Sequence, residues 1–231
     1  MPYKTPPDIA RRKIAMKAAI KASGKRLFAI NGYNATAIQQ IVDDAGTSIG
    51  NFYFYFSDKA ELLLSIVEEI SADIGEEIDM ATEIMEDGPV RLAAAIKTGV
   101  RALLERIEIA RVVLEAKHPA MRMTVLGFFA NRLLNIFKES PKLLGGVDPY
   151  LTVYAWQGAI FNVLEGIVNG NVKSDPDTVT GFLIRWNLQA LGYSRTVVES
   201  VLSEVDSIMI NQRKRGSKKK TTKTQRSQRK I

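Results

Sequence analysis

Apolar residues recur at spacings of three and four along almost the whole chain, and this period constrains the fold more than any other feature. Five of them follow one another at intervals of four, on one face of a predicted helix: Leu62, Ile66, Ile70, Ile74 and Ile78. Similar patterns predict helices at roughly 89–106, 107–117, 119–139, 149–170, 175–192 and 194–212. Four prolines lie at or near predicted helix starts, where a missing N–H costs little: Pro89, Pro119, Pro149 and Pro176. The sequence therefore predicts an all-α fold.

Shorter helices are predicted near the N-terminus. A helix of about ten residues is expected to open at Thr36, with Gln39 as the partner in a capping box, and to end at Gly46. Ser48 is expected to cap a second short helix. Two short helices joined by a tight turn have the spacing of a helix-turn-helix motif.

The aromatic run FYFYF at residues 52–56 alternates like a β-strand, yet no second strand is predicted to pair with it. We therefore interpret it as the end of the second short helix. At helical spacing three apolar residues share the inward face: Ile49, Phe52 and Phe56. Three polar residues share the outward face: Ser48, Asn51 and Tyr55.

The stretch from residue 27 to residue 63 resembles the DNA-binding domain of the tetracycline-repressor (TetR) family of bacterial regulators. The matching positions are Leu27, Phe28, Gly32, Tyr33, Thr36, Ile38, Ile41, Ala45, Gly46, Ser48, Gly50, Tyr53, Phe56, Lys59 and Leu62. The resemblance covers about the first quarter of the chain. It implies a three-helix, helix-turn-helix domain over residues 1–60 and a helical effector-binding and dimerisation domain over residues 61–212.

The same resemblance implies which residues meet DNA. Those expected to approach the bases are Gln39, Ile49, Gly50 and Asn51. Those expected to contact the phosphate backbone are Thr36, Ser48, Tyr53, Tyr55 and Lys59. Thr47, in the turn before the second helix, completes the predicted interface. Asn51 is the main candidate for reading sequence, because an amide can bond adenine in bidentate fashion; a merely solvated side chain is the alternative.

TetR-like proteins form dimers through their last two main helices, which match residues 149–170 and 175–192. Small residues that permit close helix approach form a row on the first of these: Ala155, Gly158, Asn162 and Gly166. Bulkier residues on the second could complete the contact: Phe182, Leu183 and Trp186. Internal packing is the alternative role for both sets.

The resemblance further implies a pocket for an unidentified, largely apolar small molecule between about residues 80 and 170. The candidate lining residues are Met121, Phe128, Phe129, Trp156, Phe161, Asn162 and Glu165. Each aromatic or soft side chain in this set could instead belong to the core.

Charge is distributed unevenly along the chain. Residues 1–60 have a net charge of +5, residues 61–210 have −8, and residues 211–231 have +10, within a total of +7. Nucleic acid is therefore expected to meet the two ends. The segment 213–231 has no apolar period, and we expect it to be disordered; it could strengthen non-specific DNA binding or only increase solubility.

Composition argues against several other functions. The chain has no cysteine and a single histidine, which argues against disulfides and thiolate or histidine-rich metal sites. We find no glycine-rich phosphate loop and no nucleophile elbow, so an enzyme is not expected. No apolar run approaches 18 residues and no signal peptide is evident, which predicts a cytoplasmic protein without cofactor.

The predicted function is a dimeric repressor released from a palindromic operator by a small molecule; the alternative is an architectural DNA-binding protein without ligand control.

Overall fold

The computed structural model describes residues 7–86, 88–116 and 119–210, and these residues form helices joined by turns. In chain order the helices are α1 (Pro7–Asn31), α2 (Ile38–Asp44), α3 (Ile49–Tyr55), α4 (Lys59–Thr82), α5 (Pro89–Glu105), α6 (Ile107–Ala116), α7 (Pro119–Glu139), a short 3-10 helix (Pro141–Leu144), α8 (Pro149–Val168) and α9 (Pro176–Ala190). A further helix, α10, runs from residue 195 to residue 210. No strand occurs in the described part of the chain, so the all-α prediction is confirmed.

Helix starts agree with the proline positions. Pro89, Pro119, Pro149 and Pro176 are the first residues of α5, α7, α8 and α9. At this position the ring already has a helical φ angle, and the N–H that proline lacks would have no partner inside the helix. The prolines therefore predicted these four boundaries correctly.

The run at 52–56 is helical up to Tyr55, as the interpretation from helical spacing predicted. The Ser48 hydroxyl caps α3 by accepting a hydrogen bond from the Asn51 N–H at 3.3 Å. The helix ends at Phe56, whose backbone is extended with φ −141° and ψ 129°. The alternation of Phe and Tyr therefore marks a helix end, and the strand alternative is wrong.

The first of two compact units contains the chain up to Ile74 together with Leu103–Asn131 and Phe161–Lys173. Within it, α2 packs against both α1 and α3, and α6 packs against α1. The core of the three N-terminal helices is built from fully buried Ile20, Phe28, Ile41, Val42 and Phe52. The domain boundary near residue 60 stays a prediction, since this unit extends beyond α3.

The second unit contains Gly75–Ala102, Arg132–Ile160 and the chain from Ser174 onward. Phe137 and Trp156 meet edge to face in its core, with ring centroids 5.6 Å apart. Ion pairs join its helices on the outside: Arg132 with Asp79, Lys97 with Asp206, Arg101 with Asp177, and Arg185 with Glu199.

Two sequence-based predictions lie outside the described residues: the basic tail 213–231 and the side chain of Met121. Among the helices of the described ranges, none combines the length and the apolar character needed to cross a membrane.

Candidate nucleic-acid interface

The first turn of α3 is exposed at four consecutive positions, Ser48, Ile49, Gly50 and Asn51. Below it, Phe52 and Phe56 are buried, with ring centroids 5.8 Å apart. Two aromatic rings therefore support the helix from inside, as predicted, while its N-terminal edge faces solvent.

Ile49 is not part of this inner face. The sequence predicted it to pack with Phe52 and Phe56, but the structure leaves it 43% exposed. Ile49 is the first residue of a seven-residue helix, and the core beneath α3 is covered only from Phe52 onward. The isoleucine thus lies on the exposed edge together with Gly50 and Asn51.

Two amide side chains at the exposed surface are each held in place by a hydrogen bond to a residue four positions away in the sequence. The Asn51 Nδ2 donates to Thr47 Oγ1 at 2.9 Å, and the Gln39 Nε2 donates to Asp43 Oδ1 at 2.7 Å. Both amides remain exposed. Their orientation is therefore restricted before any partner binds, which reduces the entropy lost on binding.

Thr36 is placed differently from the expectation that it caps α2 and contacts phosphate. Its side chain is 1% exposed, and the hydroxyl donates to the carbonyl of Gly32 at 2.7 Å. The N-cap of α2 is Ala37, whose N–H donates to Gln40 Oε1 at 2.8 Å. The capping pair is thus shifted by one residue, because the Thr36 hydroxyl instead bonds a carbonyl at the end of α1.

The Lys59 side chain also makes its contacts inside the domain. Its ammonium donates to the carbonyls of Tyr33 at 2.7 Å and Thr36 at 2.8 Å, and it lies 4.5 Å from the centre of the Tyr33 ring. Partial burial lowers the pKa of Lys59. An ammonium has three N–H donors, so at most one remains for a phosphate. Lys59 therefore ties the start of α4 to the turn before α2.

Aromatic and basic side chains meet at the end of α3. Tyr53 and Phe54 are exposed, Tyr55 is half-buried, and Lys13 of α1 lies 5.2 Å from the centre of the Phe54 ring. Lys17, one turn further along α1, lies 5.4 Å from the Phe56 ring. Sequence reasoning missed Lys17, although its spacing of four from Lys13 could have indicated a shared helix face.

Asp44 joins α2 to α1. Its carboxylate accepts from Ser23 Oγ at 2.5 Å and pairs with Arg26. The hydrogen bond from Ser23, assisted by Arg26, lowers the pKa of Asp44. These contacts make Asp44 a clamp between the two helices.

An apolar cavity of about 60 Å³ lies within the first compact unit. Its α4 side is formed by Val67, Ile70, Ser71 and Ile74. The other side comes from α5 to α6 and from α8, with Leu103, Arg106, Ile109, Ala110, Val113, Leu114, Phe161 and Leu164. Of the candidate pocket residues whose side chains the structure describes, only Phe161 is among these.

The other pocket candidates have different surroundings. Phe128 and Phe129 meet edge to face at 5.6 Å, and Trp156 is buried against Phe137 in the second unit. Asn162 and Glu165 are exposed. The α4 wall was missed because its residues follow the ordinary core period, which does not distinguish a cavity wall from filled core.

The predicted dimer helices carry exposed apolar side chains in the second unit. These are Tyr150, Leu151 and Tyr154 on α8, and Phe182 and Trp186 on α9, which are 56% and 43% exposed. Leu183, by contrast, is buried in the core. Gly166, at the end of the predicted row of small residues, leaves room for Val172: a Cβ there would come within 2.9 Å of that side chain.

Residues 20–66 match the family model for bacterial regulatory proteins of the tetR family. The uncharacterized HTH-type transcriptional regulator YerO of Bacillus subtilis (strain 168) is 27% identical over 209 residues, which cover 81% of this chain and 69% of that protein. The match of the N-terminal residues confirms the resemblance seen in the sequence.

Solved structures share the fold along most of the chain. RolR in complex with resorcinol aligns with a TM-score of 0.66 and 18% identity, over 83% of this chain and 95% of that one. FadR from Bacillus subtilis in complex with stearoyl-CoA aligns with a TM-score of 0.63 and 20% identity, over 74% and 97% of the two chains. At these identities the likeness concerns the fold.

Proposed function

This chain belongs to the tetR family of bacterial regulatory proteins through its N-terminal DNA-binding domain, and we propose that it is a dimeric repressor that leaves a palindromic operator when a small molecule binds. A DNA-binding transcriptional regulator is the function common to its relatives. The operator, the dimer and the effector are the further parts of this proposal, as is a cytoplasmic location.

The observation that carries the proposal is the exposed edge of α3. Ile49, Gly50 and Asn51 stand in its first turn above the buried Phe52. A helix end of this kind fits the major groove, where Asn51 can bond adenine and Gly50 allows close approach of the backbone. Ser48, Tyr53 and Tyr55 are proposed to bond phosphates, which position the domain without reading sequence.

Two sets of proposed contacts need adjustment. Thr36 is buried, so we assign its side chain to the domain interior rather than to a phosphate. Lys59 has at most one donor left for DNA, whereas Lys13 and Lys17 lie beside the end of α3 and supply positive charge there. We therefore propose that these two lysines provide phosphate contacts that Lys59 can provide only in part.

The exposed face of α8 and α9 supports the dimer. Five large side chains are exposed on these two helices, and exposed apolar surface of this kind often marks an interface. A second copy of the same face would cover it, and a twofold axis would place two α3 helices on two half-sites. Phe182 and Trp186 are the proposed anchors.

The apolar cavity supports ligand control. It is lined by α4, which begins at the DNA-binding helices, and by α6, which packs against α1. The similar structures were solved with stearoyl-CoA and with resorcinol, so the same fold holds ligands of different chemistry. A ligand that separates α4 from α6 would move α1 and change the orientation of α3.

Selection of genomic fragments with the purified protein, followed by footprinting, tests the proposal. A regulator protects a discrete palindrome on the selected fragments. The alternative, an architectural protein, is suggested by the basic residues at both ends of the chain. Uniform protection without a preferred site would favour that alternative and contradict the repressor.

A further inference from the structure

The hydroxyl of Thr47 holds the exposed amide of Asn51. Its Oγ1 accepts a hydrogen bond from Asn51 Nδ2 at 2.9 Å, and the backbone N–H of Asn51 donates to Ser48 Oγ at 3.3 Å. Both the side chain and the backbone of Asn51 are thus bonded to the two residues that precede α3. The amide faces solvent, yet the protein has set its orientation before any partner binds.

Thr47 is itself fixed to α2. Its N–H donates to the carbonyl of Val42 at 2.9 Å, and Val42 is fully buried in the core of the three N-terminal helices. The chain turns between these two residues at Gly46, where φ is +64°, a conformation that favours glycine. The half-buried Thr47 therefore connects the core-packed end of α2 to the exposed edge of α3.

The bond to Thr47 decides which hydrogen-bonding groups Asn51 has left for a base. An amide side chain has one acceptor oxygen and two N–H donors. One N–H is bonded to Thr47, so one donor and the acceptor remain. In the major groove adenine presents an acceptor at N7 and a donor at N6, whereas guanine presents two acceptors, at N7 and O6. The remaining pair matches adenine, and bonding both acceptors of guanine would need the N–H that Thr47 holds.

We infer that Thr47 is a positioning residue for base recognition: by holding one N–H of Asn51, it makes the amide select adenine over guanine. The orientation of the amide concerns the free protein alone, whereas the selection of adenine rests on the proposed function. The alternative role for Thr47 is a direct bond from its hydroxyl to a phosphate. That role predicts weaker binding to every DNA sequence without a change in base preference.

The free protein tests the orientation of the amide without DNA. By nuclear magnetic resonance, we expect the order parameter of the Asn51 side-chain N–H groups to exceed about 0.6 in the wild type and in Thr47→Ser, and to fall below it in Thr47→Val. Gln39 is the internal control, because its Nε2 donates to Asp43 Oδ1 at 2.7 Å and not to Thr47. An Asn51 value below about 0.6 in the wild type would overturn the inference, even if Thr47→Val folds poorly.

Base preference at one operator position tests the selection of adenine. The position is the one at which Asn51→Ala loses its preference, and the operator is prepared with A·T or G·C there. The wild-type protein should bind the A·T form roughly 5- to 150-fold more tightly. Thr47→Val keeps the shape of the side chain without the hydroxyl, and should lower this ratio roughly 3- to 10-fold. Thr47→Ser keeps the hydroxyl, and its ratio should stay within about twofold of the wild-type value.

Three results would overturn the selection of adenine: an unchanged ratio in Thr47→Val, a loss in Thr47→Ser as large as in Thr47→Val, or a wild-type preference for guanine. An unchanged ratio with weaker binding to both operators would assign Thr47 to a phosphate. If Asn51→Ala loses no preference at any position, Asn51 reads no base and the selection is refuted as well. If no operator can be selected at all, the proposed function fails and the selection of adenine fails with it, while the order parameters still decide whether Thr47 orients Asn51.

Discussion

At the scale of single residues, the middle of α3 separates folding from recognition. Asn51 and Phe52 are neighbours in sequence, yet the first is exposed and the second fully buried. One helical step of about 100° turns the side chain from solvent to core. Adjacent substitutions can therefore test the two roles independently.

The first prediction uses this pair. Asn51→Ala removes one bidentate base contact, and we expect operator affinity to fall by about 1–3 kcal/mol with an unchanged melting temperature. Phe52→Ala leaves a cavity in the core, and we expect the free energy of unfolding to fall by about 3–5 kcal/mol. Fluorescence anisotropy with operator DNA and thermal denaturation measure the two effects. Wild-type affinity in Asn51→Ala would contradict the assigned reading edge.

At the scale of helices, Asp44 connects α2 to α1 by two side-chain contacts. Its pKa is lowered because Ser23 donates to the carboxylate and because Arg26 lies beside it. The folded state therefore favours the ionised form. This stabilisation is fully present above the unfolded pKa, about 3.9, and is lost as the pH falls through the lower folded-state value.

The second prediction follows from the lowered pKa of Asp44. Asp44→Asn should have a lower melting temperature than the wild type at pH 7, and the difference should shrink as the pH falls below about 4. Thermal denaturation between pH 7 and pH 2.5 measures it. Asp43→Asn makes the same chemical change at a neighbouring exposed carboxylate without the contacts to Ser23 and Arg26. If the difference in melting temperature between Asp44→Asn and the wild type stays constant with pH, the ionised Asp44 does not stabilise the contact between α1 and α2.

At the scale of the whole molecule, the exposed face of α8 and α9 and the basic tail are the features that affect assembly and DNA binding. A dimer buries the apolar face, and the tail adds positive charge beyond residue 210. Each has a prediction that leaves the fold of a single chain unchanged.

The third prediction concerns the dimer. Phe182→Glu places a charge at the centre of the proposed interface, so we expect a monomer with native helix content and weaker operator binding. Light scattering after size exclusion measures the mass. Ile84→Glu is the matched control, because Ile84 is also exposed in the same unit but lies outside α8 and α9. If Phe182→Glu remains dimeric, the interface lies elsewhere.

The fourth prediction concerns the tail. Deleting residues 213–231 removes ten positive charges, and we expect the dependence of log affinity on log salt concentration to become flatter without a change in the preferred site. Titrations of operator DNA at several salt concentrations measure the slope. An unchanged slope would rule out a role of the tail in DNA binding.

The sequence by itself determined the helices and the family of the N-terminal domain, because both depend on local signals. Helical period, N-terminal prolines and cap residues act within a few positions of one another, so the bounds of α5 to α9 were predicted to within two residues. The helical character of the FYFYF run and the burial of Phe52 and Phe56 followed from the same period.

Tertiary structure alone decided what each side chain contacts across the fold. Thr36 and Lys59 are residue types that can bond a phosphate. Their hydrogen bonds are instead accepted by the backbone carbonyls of Gly32, Tyr33 and Thr36. The spacing of residues in the sequence does not reveal these contacts. Ile49 has the period of a core residue but lies beyond the edge of the core. The cavity wall on α4 has the same pattern as filled core. Burial and partner choice depend on residues far apart in sequence, and only folding brings them together.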